Sequence, residues 1–348
     1  MHDQHSGFGG AKVNIGVSSR PGKQPGEGIV RAESETRTRD ALRAAQMYYL
    51  QNLTMEAIAR ELRISRSTVS RLLSHARSSG LVEIRIKSAA DRAPALEREI
   101  STRFGIHAKV VPVAEGVSPA QILQRVAVQA AHLINPLIDS DAIVGVAWGS
   151  TLTAVSQHLS VKNTHDSTIV QMNGAGNFRT SGITYASEIL QRFGHAYGAR
   201  VVQFPVPAFF DHTETKEAMW RERPVKRVLD LQARMNTAIF GVGSMEAGIP
   251  SHVYNGAYLD DEDLDDLLAE EVVGDVATMF YRADGTWDGI RLNDRSTGPD
   301  LDVLRQVPRR ICVVAGEAKT TSLLGALRAG LVTDLILDEN SARRLASS

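Results

Sequence analysis

The chain is poor in cysteine. Cys312 is the single one in 348 residues, so neither an internal disulfide nor a multi-cysteine zinc site can form. Long apolar runs are missing as well. Nothing approaches the roughly 18 residues of a membrane span, and no basic start leads into an apolar stretch of signal-peptide type. Glycine (28) and proline (12) are too sparse for a collagenous chain. Net charge is nearly absent, at -1. The length suits about two globular domains, and a hydrophobic share of 43% is enough for a sizeable core. A lone cysteine inside the apolar run 311–315 leads to the expectation of a reducing cytoplasm.

The near-zero charge conceals an asymmetry between segments. Residues 38–87 hold nine Lys or Arg against four Asp or Glu, a balance of +5. Residues 88–348 hold 25 against 32, a balance of -7. Residues 1–37 are rich in Gly, Ser and charge and have no apolar period to offset the entropy of ordering, so a disordered leader is expected. His2 and His5 have no partner cluster there and read as solvated.

From residue 38 the pattern turns helical. Residues 54–77, TMEAIARELRISRSTVSRLLSHAR, have the layout of a helix-turn-helix. Thr54 caps one helix, small Ala59 allows close approach, and Ser65 caps a second helix over 66–78 that Gly80 ends. Val69, Leu72, Leu73 and Ala76 form its inner face, leaving Ser65, Arg66, Ser67, Thr68, Ser70 and Arg71 outward at its first turns. Short hydroxyls suit phosphate oxygens and arginine can pair bidentately with guanine, so these residues are candidate contacts to double-stranded operator DNA. Arg77, Arg85 and Lys87 would flank them on the backbone. Residues 81–86 alternate like a strand, read equally as a wing or as a hairpin closing the core.

A connecting helix is expected within 89–106, with Leu96, Ile100 and Phe104 on one face. Its apolar stripe would pack either on the following domain or on another subunit. Strands then alternate with helices: strands at 108–113, 142–147, 168–172, 200–204, 237–242, 276–281, 309–315 and 334–337, with helices at 119–134, 151–159, 183–197, 214–220, 224–234, 261–270, 319–329 and 340–346. This predicts an open, mostly parallel α/β sheet over 107–348, with ligands bound just after the strand ends. The acidic stretch 261–270 resembles a metal cluster at first sight. Leu264, Leu267 and Leu268 make a buried stripe, however, so a solvated amphipathic helix with outward acids is the reading.

Five motifs follow the helix-turn-helix in order: GVAWGSTL (145–152), QMNGAGN (171–177), GVGSMEAGI (241–249), VVGDVATMFY (272–281) and VVAGEAKTTSLLGALRAGLVTDLILDE (313–339). Over residues 38–346 the chain resembles the SorC family of sugar-responsive bacterial transcription regulators. The resemblance implies a tetrameric repressor or activator whose effector domain is similar to sugar-phosphate isomerases and deaminases. It also implies binding of a phosphorylated sugar or polyol without converting it.

The residues agree with that placement. Gly149, Ser150, Thr151 and Leu152 follow a strand and open a helix, so amides and two hydroxyls face an anion-sized space. Asn173-Gly174 and the pair Gly241 and Gly243 bring backbone close at other strand ends. Lys319 stands at a helix start, where a cation opposes the macrodipole unless an anion joins it. The family's pattern makes it a ligand contact, and a solvated pair with Glu317 is the alternative. Asp275 occupies the family's place for an acid that bonds sugar hydroxyls, and Glu246 is a weaker candidate of that kind. Other members carry two threonines after the glycine where this chain has Gly149-Ser150-Thr151, so a free sugar or polyol stays an alternative to a phosphate ester.

An isomerase or deaminase fused to a DNA-binding module is the competing reading. It would need a base titrating near pH 7 and an acid on opposite sides of a substrate carbon. His158, His165, His195 and His252 are scattered without ligand spacing. No catalytic residue, cofactor or metal site is assigned. The acidic segment should be repelled by DNA, leaving the helix-turn-helix alone to touch it.

Overall fold

A computed structural model describes residues 13–14, 28–51, 53–84, 89–114, 116–245, 251–255 and 257–348. The chain divides into two compact units, Met1–Ser88 and Ala89–Ser348. The segment expected to connect them belongs to the second.

Among the described residues the first unit has three α-helices: α1 (Gly28–Ala45), continued by a π-helical turn Gln46–Leu50, then α2 (Met55–Leu62) and α3 (Arg66–Ser78). Ala41, Ala44, Met47, Ile58, Val69, Leu72, Leu73 and Ala76 fill its core. Two features differ from the disordered leader. Strand β1 (Val13–Asn14) pairs antiparallel with β2 (Glu83–Ile84), and α1 begins ten residues ahead of the expected start at 38. Backbone pairing and helix propagation from a packed end account for these two segments, and the rest of residues 1–37 lies outside the described residues. The strand after α3 takes β1 as its partner, and the rest of the stretch read as a wing or a hairpin, residues 85 and 86, lies outside the described residues.

The second unit is a three-layer α/β/α sandwich. Helix α4 (Ala89–Phe104) leads in, followed by β3 (His107–Val111), α5 (Pro119–Ile134), β4 (Ile143–Val146), α6 (Ser150–Ser156), β5 (Thr168–Gln171), β6 (Arg200–Val202), β7 (Thr237–Phe240), β8 (Val272–Val276), β9 (Met279–Arg282), β10 (Arg309–Val314) and β11 (Asp334–Asp338). The main sheet runs β3-β11-β10-β7-β4-β5-β6, every pair parallel. From β4 the chain winds outward through β5 to β6; from β7 it winds the other way through β10 and β11. The switch point between β4 and β7 is where such sheets open a crevice at their carboxyl ends.

Alternation along each strand sends side chains to both helical layers. On β10, Ile311 and Val313 join α5 and α6, whereas Cys312 and Val314 join α4 and the helices Thr320–Arg328 and Glu339–Ser347. Cys312 is fully buried, and burial pushes its thiol up to about 12, which makes it inert. Ile100 of α4 is buried with Ala93, while Leu96 and Phe104 pack at its flank. The connecting helix therefore spends its apolar face on this unit.

Two expectations fail here. The strand predicted at 276–281 is the second half of an antiparallel hairpin, β8 and β9, outside the main sheet. Ala277 and Thr278 form its two-residue turn, both with positive φ (48° and 68°), as a turn matching strand twist requires. Apolar alternation alone could not show that reversal, because neither residue is a glycine or asparagine. In the acidic helix Asp261–Ala269, Leu267 is buried but Leu268 is 61% exposed, and Asp263 is buried against Arg295. The apolar stripe is narrower than predicted because that ion pair, not a leucine, closes the inner edge.

Candidate functional site

In the first unit, Thr54 Oγ1 accepts the Ala57 amide at 3.2 Å and starts α2. Arg63 ends it with φ of 53°, turning the chain within three residues to Ser65. Ser65 Oγ accepts the Thr68 amide at 3.1 Å and lies 2.8 Å from the hydroxyls of Ser67 and Thr68. Ser65, Arg66, Ser67, Ser70, Arg71 and Arg77 are exposed and Thr68 is half-buried. The predicted DNA-facing surface is therefore presented to solvent. Arg66 Nε meets Glu56 Oε1 at 2.8 Å, with both side chains more than half exposed. Such a pair contributes about 1 kcal/mol at most and yields readily to a phosphate. Arg85 and Lys87 lie outside the described residues.

In the second unit a cavity sits at the switch point. Gly149, Ser150, Thr151 and Leu152 line it from the end of β4, Asn173 from β5, Gly241 and Gly243 from β7, Asp275 from the hairpin, and Lys319 from beyond β10. Nine of the ten residues predicted for the effector thus converge on one space. Gly174 does not line it. It is packed against the backbone of Val206 and Pro207 instead. Glu246 lies outside the described residues.

The polar groups of this cavity are underused. Lys319 is 6% exposed, and among the described residues its ammonium makes no hydrogen bond or ion pair. The solvated pair with Glu317 is therefore not formed. Among the described residues, Asn173 Oδ1 and Asp275 Oδ1 in the lining, and Tyr254 Oη outside it, are buried without a hydrogen-bond partner. Burial lowers the Lys319 pKa, opposed mainly by the charge of Asp275. The first amides of α6, at Ser150, Thr151 and Leu152, have no intrahelical acceptor by the geometry of a helix start. That helix has only seven residues, so its dipole is a minor contribution beside the buried cation.

Asp275 is held by its surroundings. Its Oδ2 accepts the Thr278 amide at 3.1 Å, and its backbone pairs with Gly243, whose amide reaches Asp275 O at 2.8 Å. A side chain on Gly243 would strike the carboxylate, with Cβ 1.8 Å from Oδ1. Tyr254 faces the carboxyl without closing a hydrogen bond in this geometry. Burial pushes Asp275 up to about 6, against the lowering effects of Thr278, Tyr254 and Lys319. A carboxyl raised on folding stabilises the native state below its unfolded pKa, and that contribution is lost as pH rises through about 6. Asp275→Asn should flatten the ligand-free stability profile between pH 4 and 6, measured by urea melts. An unchanged slope in that window would show Asp275 to be ionised throughout.

Sequence reasoning missed one wall of the cavity. Trp148 donates from Nε1 to Gly174 O at 2.8 Å and stacks on Tyr258 at 5.0 Å between ring centroids. His252 tilts against Tyr185 at 5.0 Å and, with Ser251 and Thr278, completes the lining. Trp148 lay within the GVAWGSTL motif and could have been singled out. His252 had no such signal, since it is remote in sequence from most of the lining and joins it only in the fold.

A family model described as "Putative sugar-binding domain" matches residues 89–347, and one described as "Sigma-70, region 4" matches residues 36–79. The Deoxyribonucleoside regulator of Bacillus subtilis (strain 168) is 30% identical over 88% of this chain and 97% of its own length. The Sorbitol operon regulator of Klebsiella pneumoniae is 26% identical over 87% of this chain and 96% of its own. Among solved structures, a domain of a possible sugar-binding transcriptional regulator from Arthrobacter aurescens TC1 is 63% identical, with TM-score 0.71 over 75% of this chain and all of that one. Full-length SorC from Klebsiella pneumoniae is 25% identical, with TM-score 0.66 over 89% of this chain and 99% of its own.

A helix-turn-helix unit joined to an α/β unit with a ligand cavity at the switch point of its sheet defines a DNA-binding transcriptional regulator controlled by a small molecule. Its partners are DNA and a sugar-class effector. The chain belongs to the SorC family of sugar-binding transcriptional regulators.

Proposed function

We propose that the cavity binds a phosphorylated sugar or polyol through Lys319, Ser150, Thr151 and the amides beside them, with Asn173 and Asp275 on its hydroxyls. The observation that carries this reading is the buried Lys319 ammonium, which among the described residues closes no ion pair or hydrogen bond and has only the nearby charge of Asp275. Burying a cation costs several kcal/mol unless it is paired, and a phosphate supplies that pair. Asn173 Oδ1 and Asp275 Oδ1 are acceptors awaiting donors, as a polyol provides. The names of the relatives, a deoxyribonucleoside regulator and a sorbitol operon regulator, fall in the same chemical range.

The ligand acts as a signal and is not converted. Binding reorients contacts between copies in an oligomer, which we take to be a tetramer, and so changes the separation of the DNA-binding units. Two operator half-sites need a fixed spacing, so a small rotation is enough to weaken binding. The setting is the cytoplasm. No helix among the described residues is long and apolar enough to cross a membrane.

The test is a thermal-shift screen of the full chain against sugars, polyols and their phosphates. A ligand at about 100 times its Kd adds about 2.7 kcal/mol to stability. A phosphate ester should raise the Tm more than its free sugar. In parallel, Arg71→Ala should weaken DNA binding and leave the affinity for that ester unchanged. Turnover of a phosphorylated aldose or ketose at an isomerase's rate would overturn the regulator-only reading.

A further inference from the structure

The sugar-binding unit is acidic overall, yet it carries one dense basic surface. Arg223, Lys226 and Arg227 stand exposed on the helix Arg223–Gln232. Arg234 beyond its end and Arg200 at the edge strand β6 join them around an open groove, where Asp230 is the only acid among the described lining residues. Among the described residues none of the five cations makes an ion pair. Arg200 reaches only Thr168 Oγ1 at 3.3 Å, and Arg234 only Asp230 O at 3.1 Å.

Folding does not account for this arrangement. Arg223 opens the helix and no acid lies in its first turn. Positive charge is disfavoured there by the macrodipole, and Arg223 and Arg227 repel at i,i+4. An anionic partner would relieve that repulsion. A small anion is a poor fit, because every cation is exposed and the groove has no buried polar side chain other than those serving the sheet. A protein partner is also disfavoured. Val225, Val228 and Leu231 point inward, and none of the exposed large hydrophobic residues lies in the groove. Protein interfaces have an apolar centre depleted of charge, whereas nucleic-acid interfaces are polar and strongly positive. From Arg223 to Arg234 the stripe covers about 16 Å at the rise of a helix, the reach of a few successive phosphates.

We infer that this groove contacts the phosphate backbone of duplex DNA, independently of sequence, as a second DNA-binding surface in addition to the helix-turn-helix. It makes the local charge, not the unit's balance of -7, decide what DNA meets. The proposal does not depend on the effector cavity.

The full chain would be titrated with a labelled random-sequence duplex of about 60 base pairs by fluorescence anisotropy, at salt from about 50 to 200 mM. Each lost phosphate contact reduces the slope of log K against log salt by about 0.9, so Arg223→Ser/Lys226→Ser/Arg227→Ser should reduce it by up to about 2.7. The substitutions are exposed, and an unchanged Tm shows that the fold is kept. Arg223→Lys/Arg227→Lys should retain the wild-type slope. Arg71→Ala should lower the slope separately, which distinguishes failure of this surface from failure of the helix-turn-helix. A triple variant with the wild-type slope overturns the proposal. So does one that changes the sedimentation coefficient of the DNA-free protein at unchanged slope, since the groove would then be an interface between copies.

Discussion

Lys319→Met should raise the Tm of the ligand-free protein and abolish the further rise that a sugar phosphate produces. The two halves have one cause. The ammonium is buried beside Cys312 and Asp275, and burial lowers its pKa, so the folded state already bears the cost of a poorly solvated cation. A methionine fills nearly the same volume without that cost. Removing one partner of a buried charged pair costs about 2–5 kcal/mol of binding, which is roughly thirtyfold or more in Kd. Calorimetry with the ester identified by the thermal screen reads the second half, and binding of an operator duplex should be unaffected. A variant that binds the ester within about threefold of the wild type places the anion elsewhere.

Gly174→Ala separates a ligand role from a packing role. A Cβ there would lie 2.1 Å from Pro207 O and 2.4 Å from Val206 O. Both are backbone atoms in a bonded network: Thr297 Oγ1 donates to Pro207 O at 2.9 Å and accepts the Gly174 amide at 3.0 Å, and the Ala175 amide reaches Val206 O at 3.2 Å. Trp148 also holds the Gly174 carbonyl. Neither wall can move without breaking these bonds, so the overpacking should cost about 3 kcal/mol, on the order of 10 °C in Tm for a domain of this size. Loss of ester binding at an unchanged Tm would instead return Gly174 to the ligand site, as its place after a strand suggested.

Asp275 and Lys319 show how far the chain could be read directly. Each was placed near a strand end by apolar patterning, and the resemblance gave each a partner in the ligand. What sequence could not supply was the state in which the fold leaves them. Lys319 beside Glu317 reads also as a surface pair, and burial depends on residues from β7, β8 and β10 that lie far apart in the chain. Asp275 depends on a turn through Ala277 and Thr278, whose left-handed backbone no residue preference announces. Gly174 and Gly243 look alike as glycines after strands. One abuts two carbonyls and the other abuts a carboxylate that faces the cavity.

The basic segment presents a related contrast. Its helix-turn-helix was legible because caps, a small contact residue and helical spacing are all local, and Ser65 and Thr54 cap as their types require. The strand β1 was not, because the partner it pairs with is some 70 residues away at β2. In the same way Arg200, separated in sequence from Arg223 and Lys226, counted only as part of a negative total until the sheet edge brought them to one groove.

By itself the sequence determined the class of this protein. Two units, a helix-turn-helix and a parallel α/β domain follow from spacing and periodicity, which act within a few residues. Only the tertiary structure decided which polar groups are left without partners at the switch point, which glycines guard space and which line it, and where the cations gather. Those depend on burial and on distances between remote segments, and the energies of a buried charge or a blocked contact arise only once the chain has closed around them.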